Sequence, residues 1–293
     1  MIFAKEKARR TLLEEFREQV IKKYESPETL MSTVVEPFAE AYLIAKKCQY
    51  LSTTNAADVN ALLKWLNRIE NSDWLPSAIK FLATQGKNAD YVLWFFRKLE
   101  RLASFMHICG YDVNQRIERY ASVLSELEGS HSLEAPLSAV DLGPEEKSEM
   151  LQVLDGDIDL MTARRRNQLL LRLDAFLGDG AATYENGLLT IEHVLPQTVD
   201  PASNWQTLWP DEALRKRWVH RLANLVPLTQ KRNSKAQNYD FDKKKSAYFG
   251  GKHGVSSYVL TTQVLSASSW TPAVVEQRQC DRIDVLATSW DWR

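Results

Sequence analysis

Apolar side chains recur at three- and four-residue spacing from Ala8 to Leu127, the repeat of helices with one buried face. Leu12, Leu13, Phe16, Val20 and Ile21 predict a helix over 8–24, and Pro27 is read as its stop. Val35, Phe38, Ala41, Tyr42 and Ala45 predict a second over 30–51, and Leu62, Leu63, Leu66 and Ile69 a third that opens after Asn55. A fourth starts near Pro76 with Ile79, Phe81 and Leu82. Between Ala89 and Ile108 the repeat is carried by Tyr91, Trp94, Phe95, Phe96 and Phe105, and Gly110 closes it. A further helix is expected over 113–127. Rings at this spacing read as core packing.

The pattern breaks at 129–144, where Gly129, Ser130, Ser132, Pro136, Gly143 and Pro144 predict a linker. Residues 1–128 therefore read as a helical domain or helical linker region and 145–293 as a second domain. That domain opens on helices within 145–178, the strongest carrying Leu169, Leu170, Leu173 and Phe176. After an Asn186-Gly187 turn the repeat changes. Leu188 to Ile191 reads as a strand that Pro196 ends. Leu225-Val226-Pro227-Leu228 reads as a second extended run, with Thr229 capping a helix near Gln230. Trp205, Trp209 and Trp218 anchor the connection between the two runs. Helices return over 255–291, the last capped by Thr271 with Pro272 in its first turn.

With 293 residues and 44% apolar side chains, the chain holds one large domain or two ordinary ones. Its start lacks the apolar run of a signal peptide. Cys48, Cys109 and Cys280 have no zinc-ligand spacing and fit reduced thiols, which points to the cytoplasm. No apolar run is long enough to predict a membrane span. The net charge of −1 hides an uneven distribution. From Pro201 to Gly254 there are eleven Lys and Arg against four Asp and Glu. A basic island in an otherwise acidic chain is an electrostatic footprint for phosphate, although a charge run is also what a solvated helix face looks like.

Within and beside that island lie the residues with chemistry. Glu192 and His193 end the first strand, followed by Pro196 and Gln197. Asn224 precedes the second, and Lys231-Arg232-Asn233 follows it. Phosphodiester hydrolysis needs a base for water, a cation for the phosphate charge and donors for the strand. A neutral histidine titrates in the right range for the base. A carboxylate and a carboxamide oxygen suit Mg²⁺. Lys231, Arg232, Lys235 and Lys244 are candidates to grip DNA phosphates. Adjacent residues of a regular strand face opposite ways, so Glu192 and His193 share one metal only if the strand twists or ends there.

The run Thr190-Ile191-Glu192-His193-Val194-Leu195-Pro196-Gln197, with Asn224 and Asn233, resembles the motifs of HNH nucleases. More narrowly, four further features resemble the C-terminal domain of GmrSD-type modification-dependent restriction enzymes. They are the Arg166–Leu173 helix, His220-Arg221-Leu222-Ala223-Asn224-Leu225, Phe241 with Lys244, and Trp270 with Arg278. The resemblance covers roughly 164–290. It implies a mainly α fold, a helical N-terminal region before a helical domain that holds a small ββα-metal unit near 186–248. It also implies a general base, His193, a metal, Mg²⁺ or Mn²⁺, bound by Glu192 and Asn233, and Asn224 as a catalytic-site residue that braces the loop. His220 and Gln197 then fall to packing or bracing, with a functional His220 as the alternative.

What the resemblance implies in function is a DNA endonuclease of bacterial defence against phage or modified DNA. Such proteins usually carry an NTP-hydrolysing, ParB-like sensor domain, whose Asp-Gly-Gln-Gln-Arg-type motif is missing here. The expectation is a fragment, or a subunit that works with a separate sensor. A homodimer would supply the two sites that double-strand cleavage needs. The rival readings are a non-catalytic DNA- or partner-binding module and an RNA-cleaving nuclease.

Overall fold

Pro27 opens a helix rather than closing one. Helix α1 (Leu12–Gln19) ends before it, fixed at its start by a reciprocal capping box between Thr11 and Glu14. Ser26 then caps α2 (Pro27–Leu30), with Pro27 in the first turn where its missing N–H costs nothing. The chain continues through a π turn, Met31–Val35, into α3 (Glu36–Lys47). Pro37 has no N–H to continue the ladder, and Glu36 N–H reaches back five residues to the Met31 carbonyl. The computed structural model describes residues 11–24, 26–178, 189–229, 238–249 and 258–292. The chain divides into two units, Met1–Gly143 and Pro144–Arg293.

The first unit continues with α4 (Ala56–Arg68), α5 (Leu75–Gln85), α6 (Ala89–Cys109) and α7 (Val113–Glu126). Helix α6 starts at Asn88, whose side chain accepts from Tyr91 N–H, and stops at Gly110 with φ 79°. Helices α3 and α4 pack on α5 and α6 respectively, and α5 also meets α6 and α7. The aromatic repeat is the core, as its spacing implies. Phe81 and Phe95 stack with centroids 3.8 Å apart, and Tyr91 meets the Phe81 ring edge-on. His131 joins this cluster, its Nδ1 3.0 Å from Tyr91 Oη. The stretch 129–144, expected as a linker, is more than that. Leu137, Val140 and Leu142 are buried, and Asp141 pairs with Arg101 and Lys98.

The second unit is mainly helical around a small sheet. In order it has α8 (Pro144–Leu154), a 3₁₀ turn at Ile158–Leu160, α9 (Ala163–Leu177) and β1 (Leu189–His193). Then come α10 (Trp205–Leu208), α11 (Glu212–Trp218), a 3₁₀ turn at Leu222–Asn224 and β2 (Leu225–Thr229). Helices α12 (Phe241–Phe249), α13 (Val259–Ser266) and α14 (Pro272–Ser289) follow. β1 and β2 pair antiparallel, Glu192 opposite Val226 and His193 opposite Leu225. Pro227 lacks an N–H, and the sheet has two strands among the described residues, so no third strand there requires one.

Helix α9 holds the unit together. Leu169, Leu170 and Leu173 are fully buried, each worth roughly 2 kcal/mol of apolar transfer. The helix packs on β2, α13 and α14. Its Asp174 accepts from Leu260 N–H at 2.7 Å, and Thr261 Oγ1 donates to the Pro227 carbonyl at 2.6 Å. These bonds tie α13 both to α9 and to the sheet. The Asn186-Gly187 turn and the helix expected near Gln230 lie outside the described residues. Among the described residues no helix is long and apolar enough to cross a membrane.

Candidate functional site

The strand's pleat decides the first question about this site. Glu192 and His193 are neighbours at the end of β1, and they face opposite ways. Glu192 is buried, and its Oε1 accepts from Lys244 Nζ at 2.6 Å. Lys244, 1% exposed, comes from α12 and donates also to the His193 carbonyl at 2.6 Å. Burial pushes the Glu192 carboxyl up and the Lys244 ammonium down, and each opposes the other's shift. This corrects two expectations. Glu192, read as a metal ligand, is bound to an ammonium on the core side of the strand. Lys244, read as a phosphate grip, is enclosed and cannot reach a DNA backbone.

His193 faces the other way. Its Nε2 lies 3.4 Å from Oδ2 of Asp159, and Nδ1 of His220 lies 3.4 Å from the same oxygen. The two imidazoles meet edge to face, with centroids 5.4 Å apart. One donor atom from each of the three residues falls within a 4.8 Å span, a grouping that could hold a divalent ion. Gln197, one turn of loop later, puts its amide nitrogen 3.3 and 3.2 Å from His193 Nδ1 and Nε2.

Asp159 is the residue that sequence reasoning missed. It sits in the 3₁₀ turn before α9, and its backbone N–H donates to the His220 carbonyl at 3.3 Å. Arg166 on the first turns of α9 binds Oδ1 through Nη1. With Oδ1 so occupied, Oδ2 is turned to the histidines. The sequence signal was faint: Asp155, Asp157 and Asp159 alternate just before the α9 N-cap, Thr162, in a stretch expected among the helices of 145–178.

Burial is the leading influence on His193 and moves its pKa down from 6.5 to about 4. The Asp159 carboxylate opposes that shift, while His220, Lys244 and Arg166 reinforce it. The ring is therefore neutral at pH 7, the form that can take a proton. His220 Nδ1 is buried with no hydrogen-bond partner among the described residues, although Asp159 Oδ2 is near. Beyond about 3.2 Å an N–H···O contact is weak.

Asn224 is placed as a brace rather than as a group that touches a substrate. It is fully buried, and its Oδ1 accepts from Leu195 N–H at 2.7 Å and Trp270 Nε1 at 3.1 Å. Its Nδ2 donates to the Leu195 and Val219 carbonyls at 3.0 and 2.8 Å. A carboxamide offers two donors and two acceptor sites, so its capacity is used up. Val194 N–H adds a bond to the Asn224 carbonyl at 3.0 Å. The loop after His193 is thus pinned at successive residues. Trp270 in turn stacks under Arg278, 4.8 Å from ring centroid to guanidinium carbon.

Part of the basic island serves the fold. Arg215 binds the Trp209 carbonyl and Arg221 pairs with Asp155. Lys245 donates to the Ala267 carbonyl at 2.8 Å. Asn233, Lys231, Arg232 and Lys235 lie outside the described residues.

No curated protein is similar enough to match the sequence. Residues 154–281 match the model of the GmrSD restriction endonucleases, C-terminal domain, a stretch that contains Asp159, His193, His220 and Asn224. The second unit thus carries a nuclease-type domain of the GmrSD restriction endonuclease family.

Proposed function

We propose that this chain is a divalent-metal-dependent DNA endonuclease of the HNH type, with His193 as the general base. The observation that carries the reading is the setting of His193. It ends β1, its loop is pinned by Asn224, and it faces Asp159 and His220 inside the segment that matches the restriction endonuclease family. A half-buried, neutral imidazole accepts a proton from an attacking water. The cation that forms is then stabilised by Asp159, whose carboxylate favours the charged ring. Gln197 limits the rotation of the imidazole.

A divalent ion beside this ring, Mg²⁺ or Mn²⁺, would supply charge neutralisation for the phosphate and the departing oxygen. The residues present fit such an ion, because His220 Nδ1 is a buried nitrogen without a hydrogen-bond partner among the described residues and faces a carboxylate oxygen. Lys231, Arg232 and Lys235 are proposed to grip the DNA backbone, and Asn233 to contribute a further oxygen to the ion. The biological setting we infer is bacterial cytoplasm and defence against phage or modified DNA. An NTP-hydrolysing, ParB-like sensor would provide recognition, and a homodimer the second cut.

The test is conversion of supercoiled plasmid to open-circle or linear DNA with Mn²⁺ or Mg²⁺. Cleavage is expected to vanish in EDTA and to fall by about 10²–10⁴ in His193→Ala. Plasmid cut equally well by that variant, or in EDTA, would reject the mechanism. DNA bound but never cut would instead make this a binding module.

A further inference from the structure

Asp159 lies outside the motifs that carry the nuclease resemblance, and His220 enters them only as a residue assigned to packing or bracing, yet both sit beside His193. Oδ1 of Asp159 is bound to Arg166, which aims Oδ2 at His220 Nδ1. The two atoms are 3.4 Å apart. That is long for a hydrogen bond, and Nδ1 has no hydrogen-bond partner among the described residues. It matches another interaction. Ligand bonds of about 2.1 Å place neighbouring donor atoms on one cation about 3.0–3.4 Å apart. A carboxylate oriented by a guanidinium, beside a buried imidazole nitrogen with no hydrogen-bond partner among the described residues, has the form of an incomplete coordination shell.

His193 lies in the same cluster but differs in one respect. Both of its ring nitrogens have the Gln197 amide within 3.3 Å, so they have a neighbour that His220 Nδ1 lacks. The three residues therefore divide into a pair suited to a cation and a third suited to proton transfer. Glu192 lies on the other face of β1, away from this cluster, with its Oε1 bound to Lys244.

The geometry points to a divalent-cation site formed by Asp159 Oδ2 and His220 Nδ1, with His193 beside it as base and not as ligand. The donor set also selects the ion. Mg²⁺ takes oxygen ligands almost exclusively, whereas an imidazole nitrogen suits first-row transition ions. The site is built for Mn²⁺, Co²⁺ or a similar ion over Mg²⁺. His220 is thereby moved from a packing role to a ligand, and the backbone bond from Asp159 N–H to the His220 carbonyl becomes the tie that sets the spacing of the pair. The inference rests on the nuclease reading only for what the ion does, not for whether it binds.

The experiment is titration of the full chain with Mn²⁺ by calorimetry and with Co²⁺ by visible absorption, without DNA. The chains compared are the wild type, Asp159→Asn, His220→Ala, His220→Gln and His193→Ala, each checked for its thermal unfolding midpoint. Removal of a ligand is expected to weaken Mn²⁺ by at least about tenfold. His220→Gln, which keeps bulk and an oxygen but no imidazole, is expected to lose the Co²⁺ band shape while it stays folded. His193→Ala is expected to bind Mn²⁺ within about threefold of wild type, because only a base is lost. Wild-type Mn²⁺ affinity in both folded His220 variants would overturn the site, and so would loss of binding in His193→Ala. Plasmid cleavage run in parallel separates the two readings. Mn²⁺ bound as expected with no cleavage sinks the nuclease reading alone. Cleavage and Mn²⁺ affinity both intact in His220→Gln sink this site alone.

Discussion

The two units bury aromatic rings in different ways. In the first, phenyl rings predominate: Phe81, Phe95, Phe96 and Phe105 are fully buried beside Trp74 and Tyr91, and Phe95 packs on both Phe81 and Phe96. In the second, the fully buried rings are indoles with a polar handle. Trp205 Nε1 donates to the Tyr239 carbonyl, Trp209 Nε1 to the Trp270 carbonyl and Trp270 Nε1 to Asn224. Phenyl packing resists compression but fixes no direction, whereas each indole N–H ties a named backbone position to another. The second unit uses those ties, with Asn224 and the Glu192–Lys244 pair, to hold the end of β1 still. A site that must keep an imidazole within a fraction of an ångström needs directional contacts more than it needs area.

That contrast can be broken most forcefully at the buried pair. Lys244→Met leaves the Glu192 carboxylate without its cation and is expected to cost about 3–5 kcal/mol. A Glu192→Gln, Lys244→Met double variant should recover most of the loss in urea unfolding. A double variant as unstable as the single one would show that the ammonium is needed for its bond to the His193 carbonyl instead. In the first unit Phe95→Ala is expected to cost about 3–5 kcal/mol through the cavity it leaves. Mn²⁺ binding should be unchanged in that variant, and a parallel loss of ion affinity would mean that the two units are not independent.

A smaller effect separates buried polar from buried apolar design by pH. His193 has a folded pKa of about 4 against 6.5 unfolded. As the pH falls below 6.5, the unfolded chain takes up the proton first, so stability is lost between 6.5 and 4 and no further below that. In EDTA the wild type should lose up to about 3 kcal/mol more than His193→Asn over this window. Equal slopes for the two chains would show that His193 is not buried as a neutral ring. Least of all should change at Lys216→Ala, which removes an exposed pair with Glu212 on α11. The unfolding midpoint is expected to stay within error, since exposed ion pairs contribute little.

Legibility in the sequence followed the range of the interaction. The longer helices of the first unit were readable because their apolar spacing announces them, and in two of them the caps as well: Asn88 and Gly110 bound α6, and Asp112 with Gln115 opens α7. Pro27 misled because a proline that ends one helix is as well placed to begin the next. The two strands and the alternation of Glu192 and His193 followed from local pattern, and with them the condition that the pair shares a metal only if the strand twists or ends there.

The sequence by itself determined the helical N-terminal unit, the short strand pair and the importance of the stretch from Thr190 to Gln197, because periodicity, caps and a contiguous motif act over a few residues. Only the tertiary structure decided what stands on either side of that stretch. Lys244 arrives from 52 positions away to take Glu192. Asp159, from the turn before α9, and His220, from the loop after α11, meet at His193. The physical reason is that a charge on a helix reads as solvated until the fold removes the water around it. Which carboxylate faces the two histidines, and which is turned to a buried ammonium, is settled by the packing of α9, α12 and the sheet.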